Sequence, residues 1–312
     1  MENILKVQKL SKNFKENTVL KGINFDVNKG EILCFLGPNG AGKSTTINIL
    51  TAALNSDGGD ILYKGKKIGK QLRTYKKQLG VVPQDISLYE ELSAERNIRF
   101  FASLYGLRGK ALTKAVEKSL EFAGLADRRR DKVKTFSGGM KRRLNIACAI
   151  AHSPELVIMD EPTVGIDPQS RNHILASIKK LQANGMTILY TTHYMEEVEA
   201  ISSRIIIMDH GSIIAEGTND SLKEEIQNEK RYIIEVEEPE TVKTEEFYHI
   251  EGVKSAEIKE NQIEIISLKG IENLDRIIAL LSEKDVKIKN ISSETASLET
   301  VFLKLTGRKL RD

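Results

Sequence analysis

The chain has 312 residues, 40% of them apolar and 29% charged, with a net charge of +3. That is the make-up of a globular protein with room for one large domain and a smaller one. No apolar run approaches the roughly 18 to 20 residues that span a bilayer, and so small a net charge in a chain without Trp implies neither a basic nor a base-stacking surface for nucleic acid.

The start, Met1-Glu-Asn-Ile-Leu-Lys6, carries no secretory pattern, so the chain is expected to stay in the cytosol. Residues 1 to about 30 read as strands and a turn. Glu31-Ile-Leu-Cys-Phe-Leu36 is an apolar run of strand length. Gly37, Pro38, Asn39, Gly40, Ala41, Gly42, Lys43, Ser44 and Thr45 follow and fit the phosphate-loop pattern G-x-x-x-x-G-K-[ST]. Thr45-Thr-Ile-Asn-Ile-Leu50 continues as a helix. Strand, loop and helix in that order are what the pattern needs in order to bind a nucleoside triphosphate. Glycines let the backbone curl and aim its N–H groups at phosphate oxygens. The helix adds its positive end. Lys43 supplies a full charge to the β- and γ-phosphates, and Ser44 a hydroxyl for Mg²⁺.

From about 85 to 152 the spacing turns helical, with one stretch over Asn97 to Tyr105 and another over Leu112 to Ala123. Leu156-Val-Ile-Met159 and Thr187-Ile-Leu-Tyr190 are short buried strands. Strands alternating with helices imply a covered parallel sheet. Asp160 and Glu161 end the first of these strands. Asp160 is placed to hold Mg²⁺, and Glu161 to polarise the water that attacks the γ-phosphate. Arg204 to Asp209, then His210-Gly211, then Ser212 to Glu216 read as a terminal hairpin.

Near residue 220 the character changes. Ser221 to Lys230 reads as a polar helix or linker. Tyr232 to Val236 alternates like a strand, and Glu260-Asn261 turns a hairpin between two more. Leu274, Ile277, Ile278 and Leu281 form a helical stripe, and Val286, Ile288 and Ile291 suggest a strand. Ser297 caps a last helix carrying Leu298, Val301, Phe302 and Leu305. The order approximates β-α-β-β-α-β, with a weak first helix near Val242 to Tyr248. This part holds no cluster of reactive side chains, so a structural or partner-binding role is expected. Cys34 and Cys148 sit in apolar surroundings and read as buried free thiols.

Phe136-Ser137-Gly138-Gly139-Met140-Lys141 precedes a long helix. With it, the chain resembles ATP-binding cassette (ABC) proteins, whose signature is LSGGQ; Phe136 and Met140 are departures from it. The resemblance covers residues 1 to about 220. It implies a P-loop ATPase cassette of the α/β class, with a RecA-like core, an antiparallel β subdomain and a helical signature subdomain. A small α+β domain follows, with the expected division at 1–220 and 221–312. By resemblance Ser137, Gly138 and Gly139 contact the γ-phosphate held on a second copy. Gln84 matches the Q-loop residue that senses Mg²⁺ and the attacking water. His193 matches the switch histidine at the γ-phosphate, Asp167 lies in the interface-crossing D-loop, and Phe14 takes the adenine-stacking position. The other four histidines (His152, His173, His210, His249) are expected at the surface or in caps.

Among cassette proteins, a motor subunit of a membrane transporter competes with a soluble ATPase acting on nucleic acid or ribosomes. Repair members carry a long coiled-coil insertion and translation members two cassettes; this chain has neither. Ser137-Gly138-Gly139 excludes a simple P-loop kinase. Phe136 to Arg143, Glu161 to Pro168 and Ser297 to Gly307 resemble the ATPases of ABC-2 type drug- and antibiotic-resistance exporters, with sodium, lipid and polysaccharide exporters as relatives. That resemblance implies ATP and Mg²⁺, a homodimer or paralogue pair, separate ABC-2 permease subunits, and a peripheral place on the inner face of the cell membrane.

Overall fold

The computed structural model describes residues 2–226, 229–237, 239–294 and 297–307. They form two units, dividing between Asn219 and Asp220.

In the first unit the strands β1 (Asn3–Phe14) and β2 (Asn17–Asn28) make a long antiparallel hairpin. Then β3 (Ile32–Leu36), buried at every position, runs into the glycine-rich loop and α1 (Lys43–Leu50). The segment 58–82, which carries little periodic signal, supplies β4 (Gly58–Tyr63), β5 (Lys66–Lys67), α2 (Leu72–Lys77) and β6 (Leu79–Val82). Three helices follow, two amphipathic, α3 (Ala94–Leu104) and α4 (Gly109–Ala123), and one largely buried, α5 (Gly138–Ile150). Their inward faces build a separate core that includes Ile98, Val116, Leu120 and Leu144. The chain then alternates through β7 (Leu156–Asp160), α6 (Pro168–Ala183), β8 (Thr187–Thr192), α7 (Met195–Ile201), β9 (Arg204–Asp209) and β10 (Ser212–Gly217).

Two sheets result. One is antiparallel, in the order β2-β1-β4-β5. The other has the order β10-β9-β3-β8-β7-β6, with β9, β3, β8, β7 and β6 mutually parallel. Parallel strands covered on both faces need apolar side chains on both, and β3, β7 and β8 are buried along their whole length. Packed layers of sheet and helix around the sandwiched strands make this the α/β P-loop cassette fold. Arg204, at the start of β9, ties together the start of β3 and the ends of β2 and β10, pairing with Glu31, Asp26 and Glu216. Among the described residues no helix is long and apolar enough to cross a membrane.

The second unit opens with α8 (Asn219–Ile226) at its border, followed by β11 (Glu229–Val236). Glu229 and Lys230 thus already belong to a strand, where the polar composition suggested helix or linker; pairing with Leu268 and Ser267 decides it. After α9 (Thr244–Phe247), a single turn, come β12 (Val253–Lys259), β13 (Gln262–Leu268), α10 (Leu274–Glu283), β14 (Ile288–Glu294) and α11 (Leu298–Thr306). The sheet is antiparallel, ordered β12-β13-β11-β14. Its core draws on Tyr232, Ile234, Phe247, Ile263, Ile265 and Ile277. Ser297 caps α11 by accepting from the Thr300 amide.

Candidate active site

Strand register brings the chemistry-bearing segments to one edge. Val82 pairs with Met159, Asp160 with Thr191, and Leu36 with Thr192. The chain therefore leaves β6, β7, β8 and β3 side by side, carrying Gln84, Glu161, His193 and the glycine-rich loop. The crevice outside the carboxyl ends of parallel strands is where open α/β sheets take their ligands.

The loop itself is shaped by close approach. Gly42, the residue before α1, has φ of 105°, and a Cβ there would come within 2.8 Å of Leu20 Cδ2. At Gly37 a Cβ would lie 2.3 Å from the Met208 carbonyl oxygen. Pro38 and Ala41 are buried, Thr45 is half-buried, and Asn39, Gly40 and Ser44 are exposed. The amides at the start of α1 lack acceptors within the helix and suit an anion.

Lys43 is almost fully buried and donates from Nζ to the carbonyls of Gly37 (2.7 Å) and Pro38 (3.1 Å). It lies 3.4 Å from Glu161 Oε1. Burial lowers its pKa, and the Glu161 carboxylate opposes that shift. Asp160 Oδ1 accepts from Thr191 Oγ1 (2.6 Å) and from Ser44 Oγ (3.3 Å). Glu161 is 5% exposed and sits at φ 43°, a left-handed conformation rare for a side-chain-bearing residue. Its amide donates to Thr191 Oγ1 (3.0 Å), which helps hold that backbone in place. His193 Nδ1 is 3.3 Å from Glu161 Oε2. Lys43, Ser44, Asp160, Glu161 and His193 thus form one cluster.

Ser137, Gly138 and Gly139 lie elsewhere in the same unit. Ser137 caps α5, accepting from the Met140 amide (3.3 Å). A Cβ on Gly139 would meet Ser170 Oγ at 2.4 Å, so α5 begins hard against the start of α6. Asp167 caps α6 by accepting from the Ser170 amide (2.9 Å), and that bond holds its carboxyl below the usual range. Gln84 is exposed. Its carbonyl and that of Pro83 accept from the buried Arg142 guanidinium at 2.8 and 3.2 Å, tying α5 to the segment after β6. Phe14 ends β1, is 47% exposed, and has Lys12 Nζ 5.4 Å from its ring centre. The hairpin carrying it packs on the loop through Val19 and Leu20.

Several participants had no motif to announce them: Thr191, which serves both Asp160 and Glu161, Arg142, and the buried Thr163, Tyr190, Thr192 and Glu197. Polar residues closing an otherwise apolar strand, Tyr190-Thr-Thr192, were the available signal. Cys34 and Cys148 are free and buried, and burial raises both thiols well above their usual range.

His152 corrects the expectation of a surface or cap role. Its ring stacks on Tyr105 at 3.5 Å, and Nε2 lies 3.2 Å from the Leu79 carbonyl oxygen. Burial pushes its pKa down from 6.5 to about 4. The unfolded chain binds this proton below pH 6.5 and the folded chain only near pH 4, so the neutral ring favours folding above that window. Stability at this site is expected to fall as the pH drops from 6.5 toward 4. Urea melts across that range should show a shallower loss for His152→Gln, and an equal slope would remove His152 as a cause.

Residues 20–164 match the family model described as ABC transporter. The linearmycin resistance ATP-binding protein LnrL of Bacillus subtilis (strain 168) is 42% identical over 312 residues, covering 99% of this chain and 100% of LnrL. The Nod factor export ATP-binding protein I of Cupriavidus pinatubonensis (strain JMP 134 / LMG 1197) is 36% identical, covering 99% of this chain and 92% of the relative. A solved ATP-binding cassette, dimeric in a post-hydrolysis state with ADP and Pi, superposes with a TM-score of 0.63 at 26% identity, over 69% of this chain and 98% of that one. With a phosphate loop, two acids and a histidine gathered at one sheet edge, the chain belongs to the ABC transporter family, as one of its ATP-binding, ATP-hydrolysing proteins.

Proposed function

We propose that this chain powers the efflux of a drug, an antibiotic or a lipid-like molecule through separate membrane permease subunits of the ABC-2 type. The observation that carries the reading is the Lys43–Glu161–His193 cluster, combined with relatives named for linearmycin resistance and Nod factor export. Residues 1–220 act as the nucleotide-binding domain and residues 221–312 as an accessory domain. The working place is the cytoplasmic face of the membrane.

Gly37 to Thr45 wrap the phosphates, with Lys43 as the fixed cation, and Phe14 offers its exposed ring to the adenine. Ser44 and Asp160 present hard oxygen donors 3.3 Å apart, which fit Mg²⁺, an ion that keeps several waters. Gln84, on the neighbouring segment, completes that set when it turns inward. The ion supplies charge neutralisation at the phosphates. Glu161 takes a proton from the attacking water, and His193 orients the γ-phosphate.

The positive start of α5, with Ser137, Gly138 and Gly139, lies beside Ser170 and Asp167 rather than beside Lys43. It is free to meet a triphosphate on a second copy. Two copies facing opposite ways then enclose two nucleotides, with Asp167 in the joint. Closing that joint shifts the population of the attached permease. Tyr89, Phe100 and Leu104 are exposed apolar side chains on the helical subdomain and form the surface that grips a permease helix.

A Ser137→Arg chain tests the two-copy arrangement. With ATP, sedimentation velocity should find the parent protein dimeric and the variant monomeric. ATP affinity of the monomer should stay within about threefold, since its own phosphate loop is untouched. A dimer of unchanged strength in the variant would contradict the arrangement.

A further inference from the structure

Glu197 is the most enclosed acid in the vicinity of the site, with no exposed side-chain surface, and no role assigned so far uses it. Both of its oxygens accept. Oε2 takes the Tyr190 hydroxyl (2.8 Å) and the Thr192 hydroxyl (2.8 Å); Oε1 takes the Thr163 hydroxyl (2.6 Å). Arg171 Nε stands 3.5 Å from Oε1, and the Arg171 guanidinium covers the Tyr194 ring at 4.7 Å. Burial, then the charge of Glu197, raises the Tyr190 hydroxyl well above its usual range, so it remains a donor.

The sources of these donors matter more than their number. Thr163 is two residues beyond Glu161, on the segment that runs to Asp167. Its carbonyl also accepts from the Ile166 amide (3.2 Å). Thr192 directly precedes His193, and its hydroxyl also accepts from the Tyr194 amide (3.0 Å). Arg171 belongs to the first turns of α6, whose start Asp167 caps. One carboxylate therefore binds the segment carrying Glu161, the segment carrying His193 and the helix behind the joint between copies. A buried acid is tolerated only when fully bonded, and a fully bonded one fixes its partners in place.

We propose that Glu197 is a positioning residue for hydrolysis, holding Glu161 and His193 in one register across the γ-phosphate and tying both to α6. This rests on the reading of Glu161 and His193 given above. The polar cluster lets the two segments move as a unit when Asp167 is displaced, rather than separately.

The test is a double-mutant cycle on the full chain. ATP affinity is read by equilibrium binding and the chemical step by single-turnover acid quench, for Glu197→Gln, His193→Ala and the pair. Glu197→Gln keeps the size but puts a donor where a hydroxyl now donates. It should slow the chemical step about tenfold or more with affinity changed less than about threefold. In the His193→Ala background the same substitution should cost at least about threefold less than in the parent, because one of the two groups whose register it holds is gone. Thr163→Val, which removes one hydroxyl without changing shape, should show the same non-additivity and serves if Glu197→Gln does not fold. An equal factor in both backgrounds would overturn the proposal and leave Glu197 a purely structural acid. If His193→Ala alone leaves the chemical step unchanged, the assignment of the site itself falls, and this proposal with it.

Discussion

A Glu161→Gln chain is expected to hydrolyse ATP about 10²–10⁴-fold more slowly, the usual loss when a positioned general base is removed. Glu161 leaves β7 at the sheet edge, nearly buried, with Lys43 3.4 Å away on one oxygen and His193 3.3 Å away on the other. Gln occupies the same volume and keeps the left-handed backbone, so the loop is preserved. The amide cannot take a proton from water. Removing the charge also relieves the pull on Lys43, so ATP affinity should be kept or improved, and the nucleotide-bound dimer should persist on gel filtration. Turnover at the parent rate would show that Glu161 is not the base.

Lys43→Ala acts at the other end of the same ion pair. Its ammonium is charge-assisted, buried and already aimed into the loop through the Gly37 and Pro38 carbonyls. Deleting it removes a cation from the phosphate cradle and leaves Glu161 without its neighbouring positive charge. Breaking a buried pair in this way costs about 3–5 kcal/mol, and the lost phosphate contact alone is about 1.5–3 kcal/mol. ATP affinity should fall about 10–10²-fold on the second figure, with turnover below detection. Isothermal titration with ATP and a coupled phosphate assay measure the two effects separately. Unchanged affinity would mean that Lys43 serves the loop's own carbonyls rather than a phosphate.

The sequence was most readable where local pattern decides local structure. The run from Glu31 to Leu50 named its strand, loop and helix because each step has a local cause: an apolar run, then glycines, then helical spacing. Asp160 and Glu161 were legible for the same reason, as acids closing a buried strand. The segment 58–82 was opaque. Its strands are short or half-exposed, and β4 owes its place to pairing with β1 more than fifty residues earlier. The acceptor role of Glu197 was equally hidden. It depends on Thr163, thirty-four positions away, being brought alongside by the pairing of β7 with β8. His152 was misread because its environment is made by Tyr105 and Leu79, neither of which is near it in sequence. Local chemistry can be spelled out along a chain, but the company a side chain keeps is fixed by tertiary pairing.

The inaccessibility of Cys34 and Cys148 has a practical corollary. Maleimide reagents need a solvent-facing thiolate, and neither sulfur offers one. The natural chain is therefore a silent background for spectroscopic labelling. Cysteines introduced at exposed Lys118 and Lys179 could carry a spin-label pair without first stripping the native thiols. A change in the distance between them on adding nucleotide would report movement of α4 against α6.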